Sequence, residues 1–510
     1  MDEKVNENSL IKPSHFTEAL VTNFKLIKKK PSVDEHSKID ISRTVSFFAI
    51  LYEKIRNAVE YREEHLIRRA AIERILKRRL LLNPQGKGEA ENLLRELLWA
   101  RYFPSDSLDA RDIDSAQTII DSFLQIRRRL LVGQEKDKRL YYDQFLLDLA
   151  TCSIEETLAP QDAKKISLFV FYIFQVLKNK IKIEKMSEDQ KDALLYVAIE
   201  KTFAKSDRSY LRYHLSILSH PQLHLRNYQE IELLIPKLPS IFDRIERIIN
   251  HQGVDKLIRY IKSQMPPFLI LYSLFNRNKD TVGQILTNND QLWARVDEIC
   301  REKYQQTSSR LQSLAIKSLI YIFLTKMIFA LLLEVPLSDY FYGEVNYFAI
   351  AINSLFPPLL MLFIIGLVRT PGEENTRRLF ERIKDIIDVN KSFETTLSYI
   401  GKEQKVKKPV LIFGFTVFYT LTFMVTLTLI YEILTLLQFN LISQSIFIFF
   451  VSLVSFFGYR VSQISREYKL QERESFFAPF IDFFFMPILS LGKFFSSEIA
   501  KLKARKEEIA

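Results

Sequence analysis

A lysine lies inside one of the most apolar stretches of the chain. Lys326 occupies the run AIKSLIYIFLTKMIFALLLEVP, where its helical neighbours Ile322 and Phe323 are apolar. A charged side chain in hydrocarbon costs at least about 3 kcal/mol, so a partner of opposite charge is expected. The carboxylates available within apolar segments are Asp482 and Glu432, and the depth of Asp482 makes it the preferred partner.

Two kinds of role are open for Lys326. Together with Asp482 it could line an ion or proton pathway through a membrane. Alternatively it forms a structural buried pair, binds backbone carbonyls, or extends its aliphatic stem so that the ammonium group reaches the headgroups. We take the structural roles as the default.

Other groups that could do chemistry give weaker signals. His220 and His224 are four residues apart and close to His214, but Pro221 interrupts the run and no HExxH motif accompanies it. The aspartates at 109, 112 and 114 lack the glycine and terminal glutamate of a calcium loop, which favours a helix cap. The phosphate-binding loops GxxxxGK[ST] and GxGxxG and the GxSxG elbow do not occur. The sequence therefore predicts no catalytic residue, cofactor or metal.

Four apolar segments are long enough to position these groups within a bilayer. A helix that crosses the hydrocarbon core needs about 20 mostly apolar residues, because nothing else there satisfies the backbone. The predicted spans are residues 314–335, 348–368, 410–437 and 442–459. The protein is therefore expected to be a multi-pass membrane protein.

The loops predict the orientation of these spans. Lysine and arginine concentrate in cytoplasmic loops. Arg301, Lys303 and Arg310 precede the first span, whereas residues 334–347 contain no basic side chain. Residues 369–409 are again rich in lysine and arginine. This pattern predicts a cytoplasmic (inner) membrane location with both termini in the cytoplasm.

A fifth apolar segment, 476–491, is short and interrupted by Pro479 and Pro487. A fifth span would place the basic tail outside, against the charge rule, so a re-entrant or interfacial segment is preferred. Beyond it, Phe495 and Ile499 belong to a predicted amphipathic helix that lies on an anionic leaflet.

The composition favours an all-α fold. The chain has 510 residues with only 12 glycines, and strand-like alternation is rare. The predicted organisation is a tail at 1–41, a cytoplasmic multi-helix domain at 42–310, spans at 311–368, a cytoplasmic loop with an amphipathic helix at 369–409, spans at 410–459, and a tail at 460–510 with the re-entrant or interfacial segment.

Local patterns within the cytoplasmic domain predict its helices. A long helix is expected at 42–82. Its basic side chains are expected at a solvated or headgroup-facing surface, with an acidic partner or nucleic acid as alternatives; they are Arg68, Arg69, Lys77, Arg78 and Arg79. The patterns beginning at Ser153 and Ser187 are typical of capping boxes at helix starts. The apolar stretch 166–177 is too short to span and is assigned to the domain core.

Three of these stretches together resemble a known family. They are the long first helix, with its YEKIRNAVEYREEHLIRRAAIERILKRRLLL stretch, the run around Lys326, and DFFFMPILSLGKF near the C-terminus. The combination resembles an uncharacterised bacterial multi-pass membrane protein family of unknown function. The resemblance implies the same domain plan over most of the chain and adds no catalytic residue.

The size of the cytoplasmic domain, the missing catalytic motifs and the few spans predict a membrane-anchored binding or scaffold protein without enzymatic activity. The alternative is a channel or transporter subunit that uses Lys326 and Asp482, which would require a homo-oligomer because four spans are few for a carrier. The net charge of +11 suits anionic inner-leaflet lipids and does not require nucleic acid. The expected partners are the lipid bilayer, those lipids and a protein bound by the cytoplasmic domain.

Overall fold

A computed structural model describes residues 11–27, 63–104, 107–183, 186–366, 368, 370–388, 398–399, 409–470 and 486–497. Within these residues almost all regular structure is helical, which confirms the all-α class. Contacts divide the chain into two compact units. The first comprises Met1–Phe268, Phe275–Asn289 and Asp385–Lys402; the second comprises Leu269–Leu274, Asp290–Lys384 and Glu403–Ala510. The first unit is thus built from a long N-terminal stretch that reaches Asn289 and from a separate later segment.

The helices up to residue 287 are, in chain order, α1 His15–Lys25, α2 Glu64–Leu82, α3 Glu89–Trp99, α4 Ala110–Leu130, α5 Lys136–Leu158, α6 Pro160–Lys178, α7 Glu188–Ile199, α8 Arg208–Ser219, α9 Tyr228–Glu232, α10 Leu238–Ile249, α11 Gln252–Arg277 and α12 Val282–Thr287. A π-helical turn, Glu200–Ala204, follows α7, and short 3-10 turns occur at Pro221–His224 and Ile235–Lys237.

The core of the first unit is aromatic and aliphatic. Phe24 of α1 packs edge-on against Phe169 of α6 and against Phe275. Phe145 of α5 stacks on Phe242 of α10, with ring centroids 3.8 Å apart. Five residues of the stretch 166–177 are buried here, in agreement with its assignment to the core. Burial of such large side chains supplies much of the stability of a helical unit.

One pair of two-residue strands closes a long-range contact in this unit. β1, Ile181–Lys182, pairs in parallel with β2, Ser398–Tyr399. The N-terminal segment contacts a residue that precedes β2 in the chain: the Ser14 amide donates to the Ile387 carbonyl over 2.7 Å. Residues distant in sequence are thus joined to the first unit by backbone hydrogen bonds.

The later helices are α13 Asn289–Phe329, α14 Val335–Tyr342, α15 Tyr347–Gly366, α16 Glu373–Ile387, α17 Pro409–Leu436 and α18 Leu441–Ser465. A π-helical turn, Ala330–Glu334, joins α13 to α14 without a break. By length and composition, four candidate spans could cross a membrane: Asn289–Tyr342, Tyr347–Gly366, Thr416–Leu436 and Leu441–Ser465.

In the second unit, α15 and α18 approach each other closely. Gly458 of α18 faces Ile364 of α15, where an added Cβ would lie only 2.7 Å from the isoleucine Cγ2. Met361 and Val454 form an apolar cluster across the same pair. Small residues that let backbones approach are the usual means by which apolar helices associate.

Residues 486–497 form a further helix in the second unit. An added Cβ at Gly492 would lie 2.7 Å from Phe456 Cβ of α18, and the Tyr419 hydroxyl of α17 is 2.9 Å from Ser490 Oγ. This helix therefore packs against two of the apolar helices. Asp482 and the rest of 471–485 lie outside the described residues, as do 28–62 and 498–510.

Two local predictions about helix starts have different outcomes. Ser187 caps α7, because its side chain accepts from the Gln190 amide. Ser153 does not begin a helix: it lies within α5, and its hydroxyl hydrogen-bonds the His224 carbonyl. The prediction at Ser153 is wrong because α5 runs unbroken from Lys136 to Leu158, and Glu156, the expected capping partner, contacts His214 instead.

Candidate functional site

Lys326 lies on α13 and is completely buried. Its Nζ is 3.3 Å from Glu334 Oε2, and Glu334 is also completely buried. The same ammonium group lies 4.8 Å from the centre of the Phe450 ring. An ion pair and a cation–π contact therefore compensate the charge where water is excluded.

The π-helical turn explains how Glu334 reaches Lys326. In a regular α-helix each residue rotates by about 100°, so residues eight apart point about 80° away from each other. A π-helical turn accommodates one extra residue in the helix and reduces that angle to about 20°. The turn Ala330–Glu334 thus returns Glu334 to the helix face that carries Lys326.

Asn353 completes this arrangement from α15. Its Nδ2 donates to Glu334 Oε1 over 2.6 Å and to the Ser443 carbonyl of α18 over 3.2 Å. Asn353 is fully buried, although it lies beside the paired prolines Pro357 and Pro358 in an apolar helix. We refer to Lys326, Glu334 and Asn353 as the Lys326 cluster; it links three of the candidate spans.

Further side-chain amides satisfy the backbone near this cluster. Asn440 Oδ1 accepts from the Ser443 amide over 2.8 Å and caps α18, and its Nδ2 donates to Ser338 Oγ over 2.9 Å. Gln444 Nε2 donates to the Phe439 carbonyl and to Thr435 Oγ1, both over 3.1 Å. Such bonds matter more among apolar helices, since no water replaces a lost partner.

The predicted partners of Lys326 differ from the observed one. Glu432 is exposed on α17 and forms no ion pair with any residue that the structure describes. Asp482 lies outside the described residues. Glu334 stands where the predicted first span and the loop after it overlap, and it was not a predicted partner; the chain in fact continues from α13 through the π-helical turn into α14, which keeps Glu334 inside a helix.

A second ionic site lies in the first unit around His214 of α8. The ring Nε2 is 3.0 Å from Glu156 Oε1, and Nδ1 makes a poorly directed ionic contact of 3.1 Å with Glu200 Oε1. Burial opposes protonation of His214, but the charge of Glu200 and the hydrogen bond with Glu156 outweigh it and raise the pKa to about 10. His214 is therefore an imidazolium at neutral pH.

Arginines extend this ionic network across α2, α5 and α8. Arg68 Nε donates to Glu155 Oε1 over 2.7 Å, and the Tyr210 hydroxyl donates to the other oxygen over 2.7 Å. Arg212 pairs with Asp148 over 2.7 Å. Arg69 also pairs internally, 3.0 Å from Asp207.

The prediction that Arg68 and Arg69 lie at a solvated or headgroup-facing surface is therefore wrong. Each side chain is only 6% exposed. Helical periodicity could not show this, because the carboxylates that accept them come from distant parts of the sequence.

A small cavity lies within this network. Its volume is about 20 Å³, and its lining includes His65, Arg68, Glu156 and His214. That space accommodates about one water molecule. Burial and then the charge of Arg68 lower the pKa of His65 to about 4, so the neutral His65 lies in the same network as the charged His214. The cavity is too small for an organic substrate, and we assign the network a structural role.

The predicted histidine pair makes separate contacts. His220 Nδ1 is 3.0 Å from Ser219 Oγ, whereas His224 Nδ1 is 2.8 Å from the Tyr213 hydroxyl. Among the described residues, no group of three or more histidine, cysteine or acidic side chains could hold a metal ion. Asp109 and Asp112 form a capping box at the start of α4, as the sequence indicates.

The surface of the first unit also carries an open groove of about 530 Å³. It is lined by Tyr141 of α5 and by Asp243, Glu246, Arg247 and Asn250 at the end of α10. Asp243 and Arg247 are exposed, whereas Glu246 is held by Arg212 over 3.0 Å. The groove therefore presents charged groups of both signs to solvent and lacks the enclosure that catalytic pockets provide.

Comparison with protein-family models, curated proteins and solved structures gives no match for this chain. The resemblance to an uncharacterised bacterial membrane protein family therefore stays a prediction.

Proposed function

We propose that this protein is an integral membrane protein whose apolar helices anchor a helical, cytoplasmic binding or scaffold unit. The observation that carries the proposal is the closed Lys326 cluster. Lys326 and Glu334, the buried charged side chains in the described part of the second unit, are each 0% exposed and neutralise one another. A pair sealed in this way favours a stable bundle over an aqueous pathway.

The features of the first unit support a binding role. The buried charges Arg68, Arg212 and His214 are engaged in ion pairs, and the small cavity beside them has room for about one water molecule. The groove beside Asp243 and Arg247 is instead open and polar, as partner-binding surfaces often are. We propose that this groove contacts a cytoplasmic protein, with both termini of the chain on the cytoplasmic side of an inner membrane.

A groove-dependent capture experiment tests the binding role. The full-length protein in mild detergent is cross-linked to its partners in isolated membranes, and Asp243→Lys/Arg247→Glu is compared with Asp255→Lys. Asp255 is an exposed acidic residue that does not line the groove. We expect the affinity of the double variant for one defined partner to fall about tenfold, which is equivalent to about 1.4 kcal/mol. Asp255→Lys should capture that partner as the wild type does. Equal capture by all three proteins would reject the groove as the binding surface.

A channel or transporter subunit is the second candidate. It is favoured by the position of Glu334 on a π-helical turn, since such turns often occur at functional sites, and by the rarity of intramembrane charge. Ion flux in proteoliposomes would distinguish the two functions. Wild-type flux above that of empty vesicles, lost in Lys326→Leu/Glu334→Leu with the fold intact, would favour transport. Absence of flux would leave the anchoring role.

A further inference from the structure

Four large apolar side chains protrude from one end of the first unit. Leu81 and Leu82 at the end of α2 are 83% and 77% exposed, Val132 after α4 is 78% exposed, and Leu140 early in α5 is 62% exposed. Scattered exposed leucines are common on soluble proteins, whereas several on one edge need an explanation.

Side-chain contacts show that these residues share one end. Helices α2 and α5 are antiparallel, because Arg68 meets Glu155 and Lys77 meets Gln144, over 2.7 and 3.1 Å. One further turn along each helix leads to Leu81 on α2 and Leu140 on α5.

Helix α4 reaches the same end. Arg127 of α4 donates to Asp143 Oδ2 of α5 over 2.9 Å. Val132, just beyond the end of α4, therefore lies beside the start of α5 as well. We call Leu81, Leu82, Val132 and Leu140 the apolar tip.

Basic side chains flank Val132 and Leu140 of the apolar tip along the chain. Residues 127–140, RRRLLVGQEKDKRL, contain six basic and two acidic side chains, a net charge of 6 − 2 = +4. Arg128, Lys136 and Arg139 are exposed and form no ion pair within the part of the chain that the structure describes. We call Arg128, Lys136 and Arg139 the basic ring. Protruding aliphatic side chains flanked by such cations complement an anionic membrane surface in both polarity and charge.

We propose that the apolar tip and its basic ring insert into the headgroup region of a bilayer that contains anionic phospholipid. This inference rests on the proposed function, because only a protein anchored in a membrane is always close to such a bilayer. The apolar side chains enter the interface, and Arg128, Lys136 and Arg139 contact lipid phosphates.

Site-specific fluorescence in nanodiscs tests the proposal on the full-length chain. A cysteine replaces Leu140 and carries an environment-sensitive dye; the native Cys152 and Cys300 are both fully buried, and unlabelled wild type provides the blank. Nanodiscs contain phosphatidylcholine with or without phosphatidylglycerol, together with a spin-labelled lipid as quencher. We expect quenching at position 140 to rise at least about twofold with phosphatidylglycerol.

Leu218 provides a matched control. It is 62% exposed, as is Leu140. It lies towards the other end of α5, since α8 contacts Asp148 through Ser209 and Glu156 through Tyr213. We expect little quenching of a dye at position 218. The variant Arg128→Glu/Lys136→Glu/Arg139→Glu changes only exposed side chains and should abolish the effect of phosphatidylglycerol at position 140.

A third label separates failure of this proposal from failure of the proposed function. Leu421 is 59% exposed on α17, a candidate span, and a dye there should be quenched in either kind of nanodisc. If the dye at 421 is quenched, while the dyes at 140 and 218 are quenched equally and phosphatidylglycerol has no effect on either, the membrane-inserted bundle stands and the proposed lipid contact is overturned. A dye at 140 that is shielded but not quenched would indicate a protein partner and also overturn it. Absence of quenching at 421 would reject the membrane-inserted bundle.

Discussion

The two units bury charge in different ways. In the first unit, Arg68 contacts Glu155 but also the more exposed carboxylates Glu64 and Asp162. In the second unit, Lys326 has one described carboxylate, Glu334, and both are fully buried.

The difference follows from the surroundings of each network. Burial penalises every charge, and partners that remain in contact with water can relieve part of the penalty when one member is lost. Arg68 has such partners, whereas an apolar bundle supplies none. We therefore expect the network in the first unit to tolerate the loss of a member better than the Lys326 cluster does.

The largest effect is expected from Glu334→Leu. It leaves a buried ammonium group without its counter-ion, and should lower the free energy of unfolding of the second unit by about 3 to 5 kcal/mol. Each unit contains one of the two tryptophans, Trp99 and Trp293. Trp293 fluorescence during denaturant unfolding in detergent, in a Trp99→Phe background, reports the second unit.

Two variants control this experiment. Lys326→Leu/Glu334→Leu removes both charges and should recover most of the loss. Glu155→Leu, followed by Trp99 in a Trp293→Phe background, should lower the stability of the first unit by only about 2 kcal/mol, because Arg68 keeps two carboxylates. An equal or larger loss for Glu155→Leu would refute the contrast between the units.

The next effect concerns pH. The pKa of His214 is about 10 in the folded protein, against an ordinary value of 6.5. Because the folded value is higher, the stabilisation from His214 is fully present below pH 6.5 and is lost as the pH rises towards 10. The stability of the first unit should decrease in this range by up to about 1.4 kcal/mol per pH unit.

The variant His214→Gln isolates this contribution from lysines that also titrate at alkaline pH. The lowered pKa values of Glu156 and Glu200 affect stability only in acid and do not overlap the range. We expect the difference between wild type and variant, measured by Trp99 fluorescence, to shrink between pH 7 and pH 10. A constant difference would show that His214 is not held as an imidazolium.

The smallest effects compare one helix cap in each unit. Asp109 caps α4 in the first unit and Asn440 caps α18 in the second. Asp109→Ala should cost about 1 kcal/mol, and Asn440→Ala about 2 kcal/mol, since fewer waters can replace the cap among apolar helices. Unfolding midpoints of the two single-tryptophan proteins measure both; a smaller loss at Asn440 would contradict the proposed environment of the second unit.

The sequence alone predicted the helical class and the four apolar helices. Their lengths and compositions suffice, because about 20 apolar residues in succession favour a helix whose backbone is satisfied internally. The apolar neighbours of Lys326 also show from the sequence that its charge is costly to bury and needs a partner.

The partners of the buried charges were decided only by tertiary structure. Glu334 contacts Lys326 because of a π-helical turn, which no pattern in the sequence predicts. Asn353 contacts Glu334 from another helix. His214 likewise contacts Glu156 and Glu200, which lie at distant positions in the sequence. Local periodicity determines which face of a helix is apolar, whereas the pairing of buried charges depends on which helices pack together and on where a helix departs from regular geometry.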